Sequence, residues 1–446
     1  MSTQSNDLRR RFGRLTFLNI LSNVTVPLAS LVDMALLGHL PDITFLAGVA
    51  LASILFEYVY WTFGFLRMGT TGLAAQAQGR ADRTELYRIL YHSLIIAVGL
   101  GLALLLLQWP LRELGFSLLS GSPEVESAGR AYFNTRIWGA PAVLANFVFL
   151  GWYLGREESG HALVMTLVAN LSNIAANYVL IIHLGLAAWG AGLGTAISQY
   201  LMLATAILIF RRVPDRLRWR QVEGWDPAAL WALLRLNRDI LIRTVSLITA
   251  FALFTNFSSI LGTITLAANA ILLRFLSFAA YLIDGAAFAI ESLAGYFRGR
   301  GDRDSLRRLF RLALLTGLAF ALPFMALFAL TPAAVTRLVT THGPTTAEAV
   351  RYSWWLVPIL LFGASAYIYD GLFLGLSAGR PLRNAMLVST LGVFLPLAMA
   401  ATRWQNNDLL WASLVAFMVA RTVTLWWAAR YLPVFGVPTH TASADG

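Results

Sequence analysis

The sequence predicts an all-α polytopic membrane protein, with twelve transmembrane helices in two parallel six-helix lobes. Three observations predict it. The first is composition: of 446 residues, 58% are hydrophobic and 13% charged, with a mean hydropathy of +0.65. A soluble domain carries about a quarter charged residues. The second is a series of apolar runs of 20 or more residues along the whole chain. A bilayer core about 30 Å thick takes roughly 20 helical residues to cross. Lipid offers the backbone no hydrogen-bond partner, so such runs are helices. The third is an internal repeat of half the chain.

The expected spans run 15–38, 45–78, 85–110, 127–155, 160–183, 188–211, 229–258, 264–297, 304–331, 346–375, 381–402 and 407–432. Arginines mark the loops between them in order; the chain contains no lysine. Arg9, Arg10, Arg11 and Arg14 precede the first span. Arg80, Arg83 and Arg88 surround the turn after the second, and Arg156 follows the fourth. Arg211 and Arg212 close the sixth, Arg298, Arg300 and Arg303 the eighth, Arg380 and Arg383 the tenth, and Arg430 the last. With the amino terminus inside, 22 arginines fall in inside loops and five outside. Cytoplasmic loops collect the basic residues, so both termini are expected in the cytoplasm of an inner-membrane protein.

The same distribution disposes of other readings. A net charge of +11 could serve nucleic acid, but charge sorted into alternate loops reports topology. The amino-terminal "LRRRFGRLTFL" is followed by no small-residue cleavage site, so it is read as a topology signal rather than a leader. There is no cysteine, and the six histidines are scattered without metal-ligand spacing. No cofactor and no metal are expected. Within the spans there is no paired-histidine, Ser-His or phosphate-loop arrangement, so no enzyme is expected either.

The two halves align. "LAAQAQGRADRTELYR" (Leu73 to Arg88) and "LAGYFRGRGDRDSLRR" (Leu293 to Arg308) agree at eight of sixteen positions, 220 residues apart. The same offset aligns "FLGWYLG" (Phe149 to Gly155) with "YDGLFLG" (Tyr369 to Gly375). The chain is therefore a tandem duplication of six helices. Six is even, so the copies enter the membrane from the same side, as parallel repeats do in transporters. The expected organisation is an amino-terminal lobe at 1–212, a basic, proline-flanked cytoplasmic linker at 213–228, a carboxy-terminal lobe at 229–435 and a disordered tail at 436–446. A monomer is expected.

Charges inside a membrane cost roughly 2.5–3.5 kcal/mol each on insertion scales, so each calls for a reason. On the first helix, Asn19, Asn23, Pro27, Ser30 and Asp33 form one stripe at spacings of 4, 4, 3 and 3. Pro27 lacks an N–H and is the expected hinge. On the fifth helix Asn170, Asn173 and Asn177 form a second stripe, which interhelical hydrogen bonding would also explain. On the eighth, Ser277, Tyr281, Asp284, Phe288 and Glu291 share a face, with Glu291 near the cytoplasmic end and as readily solvated as functional. Asp239 and Arg243 on the seventh are an i, i+4 pair that can neutralise itself. With Asn19, Asn23, Asp284 and Asp370, these two complete the candidate lining of a substrate cavity.

The order and spacing of "LVDMALLGHL", "GRADRTEL" and "NLSNIAANYVLI", within a 6+6 repeat, resemble the multidrug and toxic compound extrusion (MATE) family. "LRMGTTGLAAQAQGR", "LANFVFLGWYLG", "LNRDILIR" and "YLIDGAAFAIES" resemble its DinF branch, and the resemblance covers nearly the whole chain. It implies alternating-access export of organic, often cationic or amphipathic, compounds in exchange for protons or sodium. It also implies a proton or cation site in the first lobe, falling here on Asp33, Tyr132, Asn173, Asn177 and Thr195. Where relatives carry a second acid this chain has the amide of Asn177, and where many carry a proline it has Leu18. The expected function is a proton-coupled antiporter with Asp33 as the coupling acid. Its expected partners are a small organic substrate, protons and the bilayer, and no nucleic acid. Two alternatives stay open: sodium coupling, and a flippase for a lipid-linked substrate on the same superfamily architecture.

Overall fold

In the computed structural model the described residues are 2–432, apart from 120, 215, 216, 218–220 and 223–226. Most of the expected linker and the whole expected tail at 436–446 lie outside them. Among the described residues 12 helices are long and apolar enough to span a membrane. They are α1 Asn6–Gly38, α2 Thr44–Gly79, α3 Arg83–Leu106, α4 Pro123–Gly155, α5 Ser159–His183, α6 Ala187–Arg211, α7 Leu230–Leu261, α8 Thr263–Arg300, α9 Arg303–Leu330, α10 Gly343–Gly375, α11 Gly379–Arg403 and α12 Asn407–Arg430. The chain is a multi-pass helical membrane protein, as the apolar runs predict. The one large difference in boundaries is at α1, which is helical well before position 15. Arginine is a good helix former, and charge marks the membrane edge without ending the helix. The helix also runs unbroken through Pro27.

Several spans carry irregularities that the apolar pattern does not announce. α2 is interrupted between Thr62 and Phe65. In α4 a 3₁₀ turn, Ile137–Gly139, precedes Pro141, and in α10 a similar turn, Ser353–Trp355, precedes Pro358. Proline supplies no N–H to the preceding turn and crowds its carbonyl, so the ladder changes pitch there. α5 ends in a π-helical turn, Tyr178–His183, directly after Asn177. Such turns re-aim the side chains beside them.

The repeated motifs are turn and packing devices. After α2, Ala81 has a left-handed φ of 56° and Asp82 accepts from Glu85 N at 3.0 Å. After α8, Gly301 has φ 75° and Asp302 accepts from Ser305 N at 2.9 Å. Each is a helix end followed at once by a capped helix start. The glycines of the other motif let helices touch. A Cβ at Gly155 would lie 2.7 Å from Thr71 O and 2.8 Å from Ala74 Cβ. In the second copy a Cβ at Gly371 or Gly375 would strike the backbone oxygens of Ala287 and Glu291. Small residues four apart thus seat α4 on α2 and α10 on α8.

The chain divides into two compact units, Phe17–Thr244 and Met1–Thr16 with Val245–Gly446. The second is built around an apolar core that includes Phe254, Phe394 and Phe417, with Phe254 edge-on to Trp411 at 4.8 Å. Buried Asn269 gathers the polar groups around it. Asn269 Nδ2 donates to Ser258 Oγ at 2.8 Å and to Asn407 Oδ1 at 2.9 Å, and Asn269 Oδ1 accepts from Trp411 Nε1 at 2.9 Å.

Candidate functional site

The polar stripes of α1 and α5 meet in the unit Phe17–Thr244. Asn177 Nδ2 donates to Asp33 Oδ1 at 2.7 Å. With its amide nitrogen toward α1, Asn173 donates to both Asp33 oxygens at 3.0 Å, while its oxygen accepts from Asn177 Nδ2 at 3.3 Å and faces Thr195 Oγ1 at 3.2 Å. The opposite orientation would aim an amide oxygen at a carboxylate, so this one holds. About two turns nearer the start of each helix than Asp33 and Asn177, Asn170 Nδ2 donates to Thr25 Oγ1 at 2.9 Å. Four of the five residues expected to converge do so: Asp33, Asn173, Asn177 and Thr195. The carboxylate sits among neutral amides and a hydroxyl.

Glycine on α6 makes room for this cluster. A Cβ at Gly194 would overlap Asn177 Oδ1. Asn177 is fully buried, and among the described residues that oxygen receives no hydrogen bond. Its nitrogen is committed to Asp33, so its oxygen points into the helix contact.

Tyr132, the fifth expected residue, is engaged elsewhere. Its hydroxyl accepts from Arg136 Nη1 at 2.8 Å, and Ser53 Oγ lies 3.5 Å from the same oxygen. Arg136 is the residue that the sequence reading passed over. Its guanidinium carbon lies 4.5 Å from the Phe56 ring centre, 5.4 Å from that of Tyr132 and 5.9 Å from that of Tyr60. It also interacts electrostatically with Asp33. The signal was present: Tyr132 and Arg136 are i, i+4 on one helix, beside aromatic positions 56 and 60 on another, also four apart.

The remaining candidates separate. Asn19 is buried and Asn23 half-buried on α1. Asp239 and Arg243 are both buried; Arg238 Nη2 reaches Asp239 Oδ1 at 3.2 Å, and Arg243 lies 3.9 Å from the Met68 sulfur. Asp284 is half-buried on α8, and Glu291, a residue the sequence left as readily solvated as functional, is 1% exposed. Asp370 holds Arg421 Nη2 at 2.7 Å in a buried ion pair whose arginine is 0% exposed. Among the described residues no cluster of three or more metal-ligating side chains is found.

The site belongs to one copy of the duplication. Carried 220 residues along the chain, give or take one, Asp33 falls on Leu253 or Phe254, Asn173 on Val393 or Phe394, and Asn177 on Leu397 or Ala398. All are apolar.

Comparison with known proteins agrees with this architecture. The MatE family model matches twice, at residues 19–179 and 240–400. The chain is 34% identical over 411 residues to the DNA damage-inducible protein F of Escherichia coli, covering 91% of this chain and 88% of that one. It is 28% identical over 349 residues to the "Probable multidrug resistance protein NorM" of Rhizobium meliloti, covering 76% and 73%. Among solved structures, a multidrug resistance MATE transporter in its outward-facing conformation superposes with a TM-score of 0.86 at 19% identity, over 95% of both chains. Two family matches in tandem, twelve spans and near full-length similarity leave one placement: the chain belongs to the MATE family of multidrug efflux transporters, in the branch of the DNA damage-inducible protein F.

Proposed function

We propose that this transporter is a proton-coupled antiporter that exports organic, cationic or amphipathic compounds by alternating access, with Asp33 as the coupling acid. The observation that carries the reading is the lone carboxylate of Asp33 set among Asn173, Asn177 and Thr195. Protonating it turns the cluster neutral and internally hydrogen-bonded, which suits a closed site out of water. Ionising it restores a carboxylate that offsets the nearby Arg136, so that the site can take up one organic cation. A second acid at position 177 would keep one charge after the first proton and could retain sodium; the amide does not. The arginine-rich inside loops support an inner-membrane protein with both termini cytoplasmic.

Substrate flux in sodium-free proteoliposomes under an imposed pH gradient tests the proposal. Export driven by an inward proton gradient is expected. Absence of flux there, with flux restored by a sodium gradient at constant pH, overturns the assignment.

A further inference from the structure

Arg136 is an odd occupant for its place. A guanidinium inside a membrane-spanning unit normally takes a carboxylate, as Arg421 takes Asp370 in the other unit. Arg136 instead takes a hydroxyl, Tyr132, and the faces or edges of three rings. Its Nε is buried without a hydrogen-bond partner among the described residues, and so is the hydroxyl of Tyr60, itself in electrostatic contact with Arg136. A carboxylate that attracts it, Asp33, is nearby but engaged with Asn177 rather than with the arginine. The charged and titratable groups around this spot are Asp33 on α1, Tyr60 on α2, Tyr132 and Arg136 on α4 and Tyr200 on α6.

We propose that Phe56, Tyr60 and Tyr132 form an aromatic cage for a planar organic cation, and that Arg136 is a tethered stand-in for that cation, moving onto Asp33 when substrate enters. The proposal rests on Asp33 being the coupling acid. Ring faces attract cations, most strongly where water is excluded. Arginine's flat, delocalised cation resembles an amidinium or the charged edge of a planar dye, so rings that stack on one can stack on the other.

The arrangement makes proton and substrate exclusive. With Asp33 ionised, Arg136 has a carboxylate to go to, and the cage opens. With Asp33 protonated, that destination is gone, and the guanidinium returns to the rings and displaces the guest. Charge gives the same answer. Ionised Asp33 and Arg136 sum to zero; one proton or one monovalent substrate raises the site to a single positive charge. Both together would put two unpaired positive charges in a medium that screens them poorly.

Equilibrium binding of ethidium, a planar cation whose fluorescence rises out of water, tests this on the purified full-length protein at mildly acidic and mildly alkaline pH. The wild type is expected to bind more tightly in alkali. R136Q empties the cage and is expected to bind about tenfold more tightly than wild type in acid, the worth of one lost cation–π competitor. D33N leaves Arg136 nowhere to go and is expected to bind in alkali as weakly as the wild type binds in acid. The double variant D33N/R136Q is expected to regain the affinity of R136Q. R136Q binding no better than wild type, or a double variant as weak as D33N, overturns the proposal. If R136Q does not fold, Y132F, which loosens the guanidinium and keeps the ring, is expected to bind more tightly than wild type in acid; unchanged binding there overturns it. Wild type and D33N binding alike at both pH values would instead sink Asp33 as the coupling acid, and R136Q against wild type would still decide whether Arg136 fills the cage.

Discussion

Asn177 donates a 2.7 Å hydrogen bond to Asp33 across 144 residues of sequence. The contact ties the carboxylate to α5, and it makes position 177 the point at which a second charge would be felt most. Asp33→Asn removes the half-buried charge and is expected to abolish coupled dye efflux while leaving the melting temperature of the purified protein near that of the wild type. Asn177→Asp sets two carboxylates in hydrogen-bond contact, where they share a proton. That variant is expected to make transport respond to sodium, read by flux with and without a sodium gradient.

The packing of α6 against Asn177 is unforgiving. Gly194→Ala places a methyl where Asn177 Oδ1 lies. Overpacking of this kind costs about 1–3 kcal/mol, and the cheapest relief is to swing the amide away from Asp33. Efflux is expected to fall severalfold or more, with a modest loss in thermal stability. Wild-type efflux in Gly194→Ala would show that the Asn177 contact is dispensable.

At Gly375 the obstacle is backbone. A Cβ there would run into the carbonyl of Glu291, and a carbonyl in a helix cannot step aside as a side chain can. Gly375→Ala is expected to push α10 off α8 and lower the melting temperature. Gly160, where a Cβ meets nothing within 4 Å, supplies the control: Gly160→Ala is expected to be neutral or slightly stabilising.

Asp302 caps α9 outside the membrane. Burial alone would raise its carboxyl, but hydrogen bonds from the Ser305 side chain and backbone, with Arg300 and Arg308 nearby, hold it below the usual carboxylate value. A depressed group contributes stability that is complete above its unfolded pKa and is lost as pH falls through its folded pKa. Asp302→Asn keeps the cap and removes the charge. The melting-temperature gap between it and wild type is expected to be steady at neutral pH and to shrink below about pH 4.

The buried Asp370–Arg421 pair is more costly to break than to replace. Arg421→Leu takes the guanidinium from a buried carboxylate and is expected to cost about 3–5 kcal/mol. Asp370→Leu with Arg421→Leu is expected to recover much of the loss, as measured by thermal unfolding in detergent. Equal damage from single and double variants would show that the pair is not an energetic unit.

Lipid made the spans legible. It imposes length and composition on every crossing, so positions as far apart as 38 and 407 can be placed to within a few residues. The duplication was legible because turn and contact glycines leave little choice of residue. The Asp33 cluster was partly legible, since asparagines at helical spacing in an apolar run announce one face. Pairings across the fold were not. Asp370 reads as a cavity residue until Arg421, 51 residues later, is found on it. Arg136 reads as one more membrane arginine until the rings from another helix close around it. The break in α2 and the π turn after Asn177 leave no mark in the local apolar period.

The apolar residues that stand in the second unit where Asp33, Asn173 and Asn177 stand in the first imply a division of labour between twin halves. A duplicated gene begins with two equal halves, and here the positions matching Asp33, Asn173 and Asn177 are apolar in the second. Tolerance to change should divide along the same line. In the first half, conservative replacements near position 33 should alter what is carried and what drives it. In the second, replacements at Leu253 and Phe254 should register as loss of protein, with the surviving molecules transporting as before.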